Sequence, residues 1–398
     1  MRIGLFNDSF PPFIDGVANC MLNYAKVLTE LGDQVTVVTP KYPGVKDEYP
    51  FEVYRYNSLN FHGEMPYRVG NPFAPISIHN ISKKNFDLVH IHSPFASSVL
   101  VDQVLMRMES PPPILITYHT KFDLDIDRYV SNKRFNRISK WFVLNNMKKA
   151  DEVWVVSEGT KESLKKIGYE KEPIVMPNGT DFEKGKASDE LIRELDIKYG
   201  TADTPLVFLY CGRMMWYKNA KISLDALKIL QNEGVDFKAF FVGDGTDRVS
   251  IEEYAAEIGL GGNVIFTGAV KDREKVKAFF SRADLFLFPS TYDTSGLVVK
   301  EAAACACASV LVEGSCASEG VIDGVSGLLA PEETAESFAK VLLNASKNPA
   351  FLTELGVNAQ NDLYLSWEDS IRAARKRYDV IVERKAEERL KGKTESIH

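Results

Sequence analysis

The chain predicts an α/β protein made of two Rossmann-like, doubly wound units facing a central cleft. Three observations support this. Apolar strands alternate with helical segments from residue 2 to residue 176, the pattern lapses over 181–204, and the same alternation then restarts. The strands are apolar throughout, as in parallel sheets covered by helices on both faces. The length, 398 residues, suffices for two independent cores.

Each element has its own signal. In the first half, apolar runs predict strands at 2–6, 34–39, 87–92, 114–118, 152–156 and 174–176. Helical spacing predicts helices at 17–31, 97–109, 133–149 and 158–167, the first of them ended by Gly32-Asp33. In the second half strands are expected at 206–211, 238–242, 263–267, 285–289, 309–312 and 327–329. The helices between them are expected at 222–233, 247–258, 272–282, 296–305 and 333–347. The charged segment 368–391 reads as a long helix that packs back on the first unit, with fraying after Leu390. The expected domains are therefore 1–181 and 182–367. Ligands of such folds bind at the carboxyl ends of the strands, so the chemistry should come from the loops that follow strands.

Composition narrows the function. The chain is 45% hydrophobic and 26% charged, with a net charge of −7, which argues against a general nucleic-acid binder. No apolar run reaches the roughly 20 residues of a membrane span. The opening Met1-Arg-Ile-Gly-Leu-Phe is already a strand and leaves no room for a signal peptide. Five scattered cysteines (Cys20, Cys211, Cys305, Cys307 and Cys316) form no disulfide framework and fit a reducing, cytoplasmic location.

The most informative pair is Asp293 and Glu301, which bracket Thr294-Ser-Gly-Leu-Val-Val-Lys300 after an apolar strand. This reads as strand, short loop, and a helix opening near Gly296. Free N–H groups at a helix start attract anions, and carboxylates accept hydrogen bonds from hydroxyls. A ligand rich in both phosphate and hydroxyl, such as a sugar nucleotide, suits the pair. Arg213 and Lys218 leave the end of strand 206–211 together and can clamp a diphosphate. Two surface cations are the plainer alternative. Gly243 and Gly268, each after a strand, are either turn residues or points where a flat base approaches backbone.

These motifs resemble the family 4 retaining glycosyltransferases, which have the two-domain GT-B fold. Asp293 to Glu301 resembles the family's Glu-x7-Glu signature. The resemblance implies that Asp293 meets the transferred sugar and Glu301 the donor ribose. It places the backbone of Thr294, Ser295, Gly296 and Leu297 against the diphosphate and sugar. It makes Arg213 and Lys218 the diphosphate cations, with Gly243 and Val270 near the nucleotide. In the first half, Phe10-Pro-Pro-Phe-Ile-Asp-Gly16-Val17 resembles the glycine loop that approaches the donor phosphate and the acceptor. Thr117-Tyr-His119-Thr120 resembles the motif whose histidine contacts the donor sugar. Pro177-Asn-Gly179 resembles the start of the interdomain linker. The first unit would then bind the acceptor and the second the nucleotide sugar. His92-Ser-Pro-Phe and Thr117-Tyr-His-Thr also resemble diacylglycerol glycosyltransferases of the family.

The implied reaction is metal-independent hexosyl transfer with retention. The preferred donor is UDP-glucose, a substrate, and no cofactor is needed. The acceptor is a membrane lipid such as diacylglycerol, or alternatively a soluble or polysaccharide glycan with another nucleotide sugar as donor. Two departures stand out. Asp293 replaces a glutamate and shortens the reach by one methylene. Ala306, in Cys305-Ala-Cys-Ala308, stands at a position that is usually glycine.

Several other features invite chemistry. Asp123, Asp125 and Asp127 form an Asp-x-Asp-x-Asp run, read as acceptor contact or a solvated face rather than a metal site. His90 and His92 share a strand face, but a zinc site needs more ligands, and no His or Cys cluster is expected to supply them. Cys305 and Cys307 read as packing residues. Segment 128–150 has no acidic residue and seven cations: Arg128, Lys133, Arg134, Arg137, Lys140, Lys148 and Lys149. Lys133, Arg137 and Lys140 are placed on one helical face, and Phe135, Ile138 and Phe142 on another. It is either an ordinary solvated amphipathic helix or a surface that docks the protein peripherally on the anionic inner face of the plasma membrane. A nicotinamide-dependent oxidoreductase is disfavoured, because loop 7–16 lacks Gly-x-Gly-x-x-Gly. A non-catalytic sugar-nucleotide binder is the remaining rival.

Overall fold

The computed structural model describes residues 1–13, 15–60 and 68–395. Ile14 of the glycine loop lies outside the described residues. The chain divides into two compact units, Met1–Asn178 with Trp367–His398, and Gly179–Ser366.

The first unit holds strands β1 (Arg2–Phe6), β2 (Gln34–Pro40), β3 (Glu52–Tyr56), β4 (Ser58–Asn60), β5 (Arg68–Gly70), β6 (Leu88–Ile91), β7 (Ile114–Tyr118), β8 (Glu152–Val155) and β9 (Ile174–Val175). Its helices are α1 (Gly16–Glu30), α2 (Pro75–Ser82), α3 (Ala96–Leu105), α4 (Phe122–Tyr129), α5 (Lys133–Lys148) and α6 (Glu158–Lys166). Seven strands form a parallel sheet in the order β3-β2-β1-β6-β7-β8-β9, and β4 and β5 pair as a separate antiparallel ribbon.

The second unit begins with α7 (Asp189–Tyr199), followed by β10 (Val207–Cys211), α8 (Ala220–Asn232), β11 (Lys238–Val242), α9 (Arg248–Glu257), β12 (Val264–Gly268) and α10 (Arg273–Arg282). It continues with β13 (Leu285–Phe288), α11 (Leu297–Ala304), β14 (Ala308–Val312), β15 (Leu328–Ala330), α12 (Ala335–Ala345) and α13 (Pro349–Asp362). The sheet is again parallel, in the order β12-β11-β10-β13-β14-β15. Strand order reverses beside β1 in one unit and beside β10 in the other, and such switch points open a crevice past the strand ends.

The last helix, α14 (Trp367–Glu395), belongs to the first unit. It buries Trp367, Ile371, Ala374, Tyr378 and Ile381, a stripe at helical spacing. Its polar side chains add ion pairs from Arg375 to Asp33 (2.5 Å), Arg377 to Glu152 (2.6 Å) and Lys385 to Asp151 (2.5 Å).

Several elements differ from expectation. The helix α14 runs to Glu395, five residues past Leu390, through the poorer helix formers Gly392 and Thr394. Residues 396–398 lie outside the described residues. The stretch 181–204 is not a lapse but contains α7, which buries only Leu195 and so shows little apolar pattern. Strand β3 and helices α2, α4 and α13 were also not anticipated.

Candidate active site

In the second unit, the loops after β10 to β13 hold one another in place. Gly243 adopts φ +139°, and a Cβ there would lie 1.9 Å from the Gly212 carbonyl oxygen, so only glycine allows the two loops to touch. Gly212 N–H donates to Val242, and Gly243 N–H to Gly268, which ties three strand ends together. After β10 the chain makes a single 3-10 turn, Trp216–Lys218, closed by Asn219 in the left-handed region. The Asn219 carboxamide donates to the Pro289 carbonyl oxygen at 3.0 Å, joining this turn to the end of β13.

That junction brings Lys218 to Asp293. Lys218 Nζ donates to Asp293 Oδ1 at 2.6 Å, Ser290 Oγ donates to Oδ2 at 2.5 Å, and the lysine is 7% exposed. Burial pushes the Asp293 carboxyl up, but Lys218, Ser290 and Arg213 outweigh it and hold the group below the usual carboxylate range. Arg213 itself is exposed. Three residues on, Gly296 caps α11 at φ +53°, with a hypothetical Cβ 3.0 Å from Ala317 Cα. Thr294 and Ser295 precede it, Leu297 opens the helix, and the helix dipole makes this end positive.

Glu301 sits in a different environment. Arg273, at the start of α10, donates to Glu301 Oε1 at 2.6 Å and to Asp181 Oδ1 at 2.6 Å. Burial raises the Glu301 carboxyl, and the Arg273 charge and hydrogen bond only partly offset it. Val270 packs half-buried beside Gly268, against the second unit's core. By chain position the second-unit residues expected from the motif follow the ends of β10 to β13, and among them a hydrogen bond joins Lys218 to Asp293. Arg273, Asp181 and Ser290 were not anticipated.

The first unit gathers buried histidines at and past the ends of β6 and β7. Asp15 caps α1 by accepting from Ala18 N–H at 2.7 Å, which leaves Gly16 exposed at the helix start, with nothing within 4 Å of a Cβ placed there. His119, just past β7, pairs Nε2 with His92 Nδ1 at 2.9 Å. His90 is held by Tyr378 Oη and Thr117 Oγ1, both at 2.6 Å. Burial depresses all three histidines, His119 to about 3, so their rings are neutral at ordinary pH. The expectation that no His or Cys cluster would form is overturned: Cys20, from the inner face of α1, lies beside His92 and His119. Long-range strand order created this grouping, and no local spacing signalled it.

Residues 14–184 match the profile described as Glycosyltransferase Family 4, and residues 192–362 match Glycosyl transferases group 1. The chain belongs to glycosyltransferase family 4. The alpha-monoglucosyldiacylglycerol synthase of Streptococcus pneumoniae is 26% identical to this transferase over 309 residues, 76% of this chain and 69% of the relative. The synthase of the same name from Acholeplasma laidlawii is 25% identical over 375 residues, 90% of this chain and 92% of the relative. Anabaena HepE, solved with UDP and glucose, superposes with a TM-score of 0.74 at 18% identity, over 95% of this chain and 99% of that one. That likeness, with the two parallel sheets, is one of fold, and the fold is GT-B.

Asp123, Asp125 and Asp127 lie on α4 and diverge: Asp123 accepts from Ser163, and Asp127 pairs with Lys140 at 2.6 Å. They form no metal-binding group among the described residues. All five cysteines are free, and Cys305 and Cys307 are buried. Ala306 is left-handed at φ +55°, the conformation that glycine takes without strain. Helix α5 leaves part of its expected apolar face exposed. Phe135, Ile138 and Trp141 are 63%, 49% and 60% exposed, beside the exposed Lys133, Arg134 and Arg137. Val143, Asn146 and Met147 face the core instead, and Phe142 is only half-buried. Among the described residues, no helix is long and apolar enough to cross a membrane.

Proposed function

We propose that this glycosyltransferase transfers glucose from UDP-glucose to diacylglycerol at an anionic membrane surface, with retention at the anomeric carbon. The observation that carries the reading is the outward face of α5, where three large apolar side chains stand among cations. Such a face gains from apolar insertion and from anionic headgroups together. The relatives named as glucosyldiacylglycerol synthases support the acceptor, and the UDP-bound HepE supports the donor. The protein then acts peripherally, on the inner face of the plasma membrane.

In this reading Arg213 and Lys218 bind the donor diphosphate, and the α11 N-terminus faces it. The bond from C1 to the phosphate oxygen breaks as the acceptor oxygen bonds to C1 on the same face. The acceptor proton passes to the leaving phosphate. The transition state resembles an oxocarbenium ion, and negative charge collects on the leaving group where the two cations and the helix start can stabilise it. Asp293, kept ionised by Lys218, accepts from sugar hydroxyls. Glu301 accepts from the ribose, since each carboxylate oxygen offers two acceptor sites and need not release Arg273. Gly16 gives close approach to phosphate, His119 orients the sugar, and Val270 and Gly243 frame the base. No metal is required, because protein cations occupy that role.

The test is incubation of purified protein with labelled UDP-glucose and diacylglycerol in phosphatidylglycerol vesicles, followed by phase partition. Label is expected in the organic phase and should persist with chelator present. Label confined to water removes the lipid acceptor and favours a soluble glycan. Transfer only from another sugar nucleotide removes the UDP-glucose assignment.

A further inference from the structure

The buried grouping in the first unit has a chemistry beyond the sugar contact assigned to His119. Cys20, His92 and His119 each offer one ligand atom, and these atoms lie within 4.8 Å of one another, all buried. Cys20 Sγ also faces Asn178 Oδ1 at 3.5 Å, and Asn178 is buried as well. Zinc bonds to nitrogen at about 2.0–2.1 Å and to sulfur at about 2.3 Å, so neighbouring ligand atoms of a tetrahedral site lie about 3.3–3.6 Å apart. Small side-chain shifts would bring the three atoms to that spacing.

Two further observations separate this set from an ordinary polar core. His92 Nε2 is buried without a hydrogen-bond partner, although buried ring nitrogens are normally satisfied. His90, whose ring lies 4.0 Å from that of His92, has both nitrogens engaged, by Tyr378 and Thr117. The cluster therefore singles out His92 and His119 rather than histidines in general. Their rings, buried and neutral, are in the form that binds metals.

We propose that Cys20, His92 and His119 bind one thiophilic divalent cation of the zinc class, with Asn178 Oδ1 nearest for the fourth position. Binding replaces the Cys20 S–H by a sulfur–metal bond, and the proton leaves to solvent. A thiolate with two imidazoles selects zinc-class ions over magnesium or calcium, which prefer oxygen ligands. The ion would fix the His119 ring and occupy one of its nitrogens. It would restrain the transfer site rather than serve it.

The full chain, free of any tag, is titrated with Co²⁺, a coloured stand-in for Zn²⁺. One equivalent is expected to bind with a thiolate-to-cobalt charge-transfer band, to be displaced by Zn²⁺, and to be unaffected by Mg²⁺. Cys20→Ser should abolish the band and weaken Zn²⁺ binding by more than about 100-fold, beyond the typical cost of losing an outer-shell partner. His92→Gln should weaken binding likewise, and it keeps the test decisive if Cys20→Ser misfolds by circular dichroism. No band in the wild-type chain, or unchanged affinity in the folded variants, overturns the site. Because the readout is metal binding in the absence of sugar nucleotide, its outcome is separate from that of the transfer assay.

Discussion

Both units carry their reactive side chains past the carboxyl ends of a parallel sheet, but they hold them differently. In the second unit ion pairs dominate: the buried Lys218 meets Asp293, and the exposed Arg273 meets Glu301 and Asp181. In the first, neutral histidines, a thiol and hydroxyls are joined by hydrogen bonds, and the Asp8 carboxyl past β1 accepts from Ser97 N–H and Oγ, both at 2.8 Å. Charged pairs suit a site that must meet a diphosphate without reorganising, because the cations are already fixed in place. Neutral rings suit orientation, donating or accepting without attracting counter-ions. The two carboxylates differ as well. Asp293 is held below its usual range by its lysine, whereas Glu301 is raised by burial that its arginine offsets only in part.

The largest effect is expected on the charged side. Lys218→Ala leaves Asp293 without its cation and the diphosphate without one of two, so transfer should fall about 100- to 1,000-fold while circular dichroism stays unchanged. Near-wild-type turnover would dissolve the contrast between the units. Next comes Glu301→Gln, which should weaken UDP binding by about 1–3 kcal/mol in calorimetry. Acid should act on the same contact. With its pKa raised, Glu301 protonates before an ordinary glutamate as pH falls, and UDP affinity should decline with it. Arg273→Ala removes the offsetting charge and should move that decline to higher pH; an unmoved profile would exclude the arginine.

The neutral side predicts a different titration. His90, His92 and His119 stay unprotonated in the fold but take up protons in the unfolded chain below about pH 6.5. Their contribution to stability is thus complete above that pH and is lost as pH falls towards the depressed folded values. Urea midpoints should drop on acidification, and less so in His90→Gln. The smallest effect belongs to Ala306→Gly, which relieves a left-handed alanine and should add about 0.5–1 kcal/mol by urea unfolding.

The charged site was readable because its members lie close in sequence. Asp293 and Glu301 share one strand–loop–helix, and Arg213 and Lys218 leave one strand end. Strands Arg2–Phe6, Ile114–Tyr118 and Lys238–Val242 were likewise plain, since buried parallel strands are unbroken apolar runs. Arg273 was invisible, because nothing in its local sequence points to a glutamate 28 residues away. The Cys20–His92–His119 group was misjudged for the same reason: strand order, not spacing, assembles it. The missed helices did leave signals. Ser188 caps α7 ahead of Asp189 and Glu190, with Gly200 left-handed at its end, and Asn348-Pro349 opens α13. Caps were the cue there, where apolar periodicity was weak. Strand β3, half-buried at a sheet edge and carrying Glu52 and Arg55, offered neither cue.

The helix α14 sets an order of assembly on the ribosome. Tyr378, which holds His90, follows the whole second unit in the chain, as does Arg375, which holds Asp33 beside the amino-terminal nitrogen. During synthesis the second unit can close on its own residues as soon as Ser366 has emerged. The first unit, begun earlier, waits with an uncovered flank until α14 arrives. The half of the protein made first is therefore the half finished last.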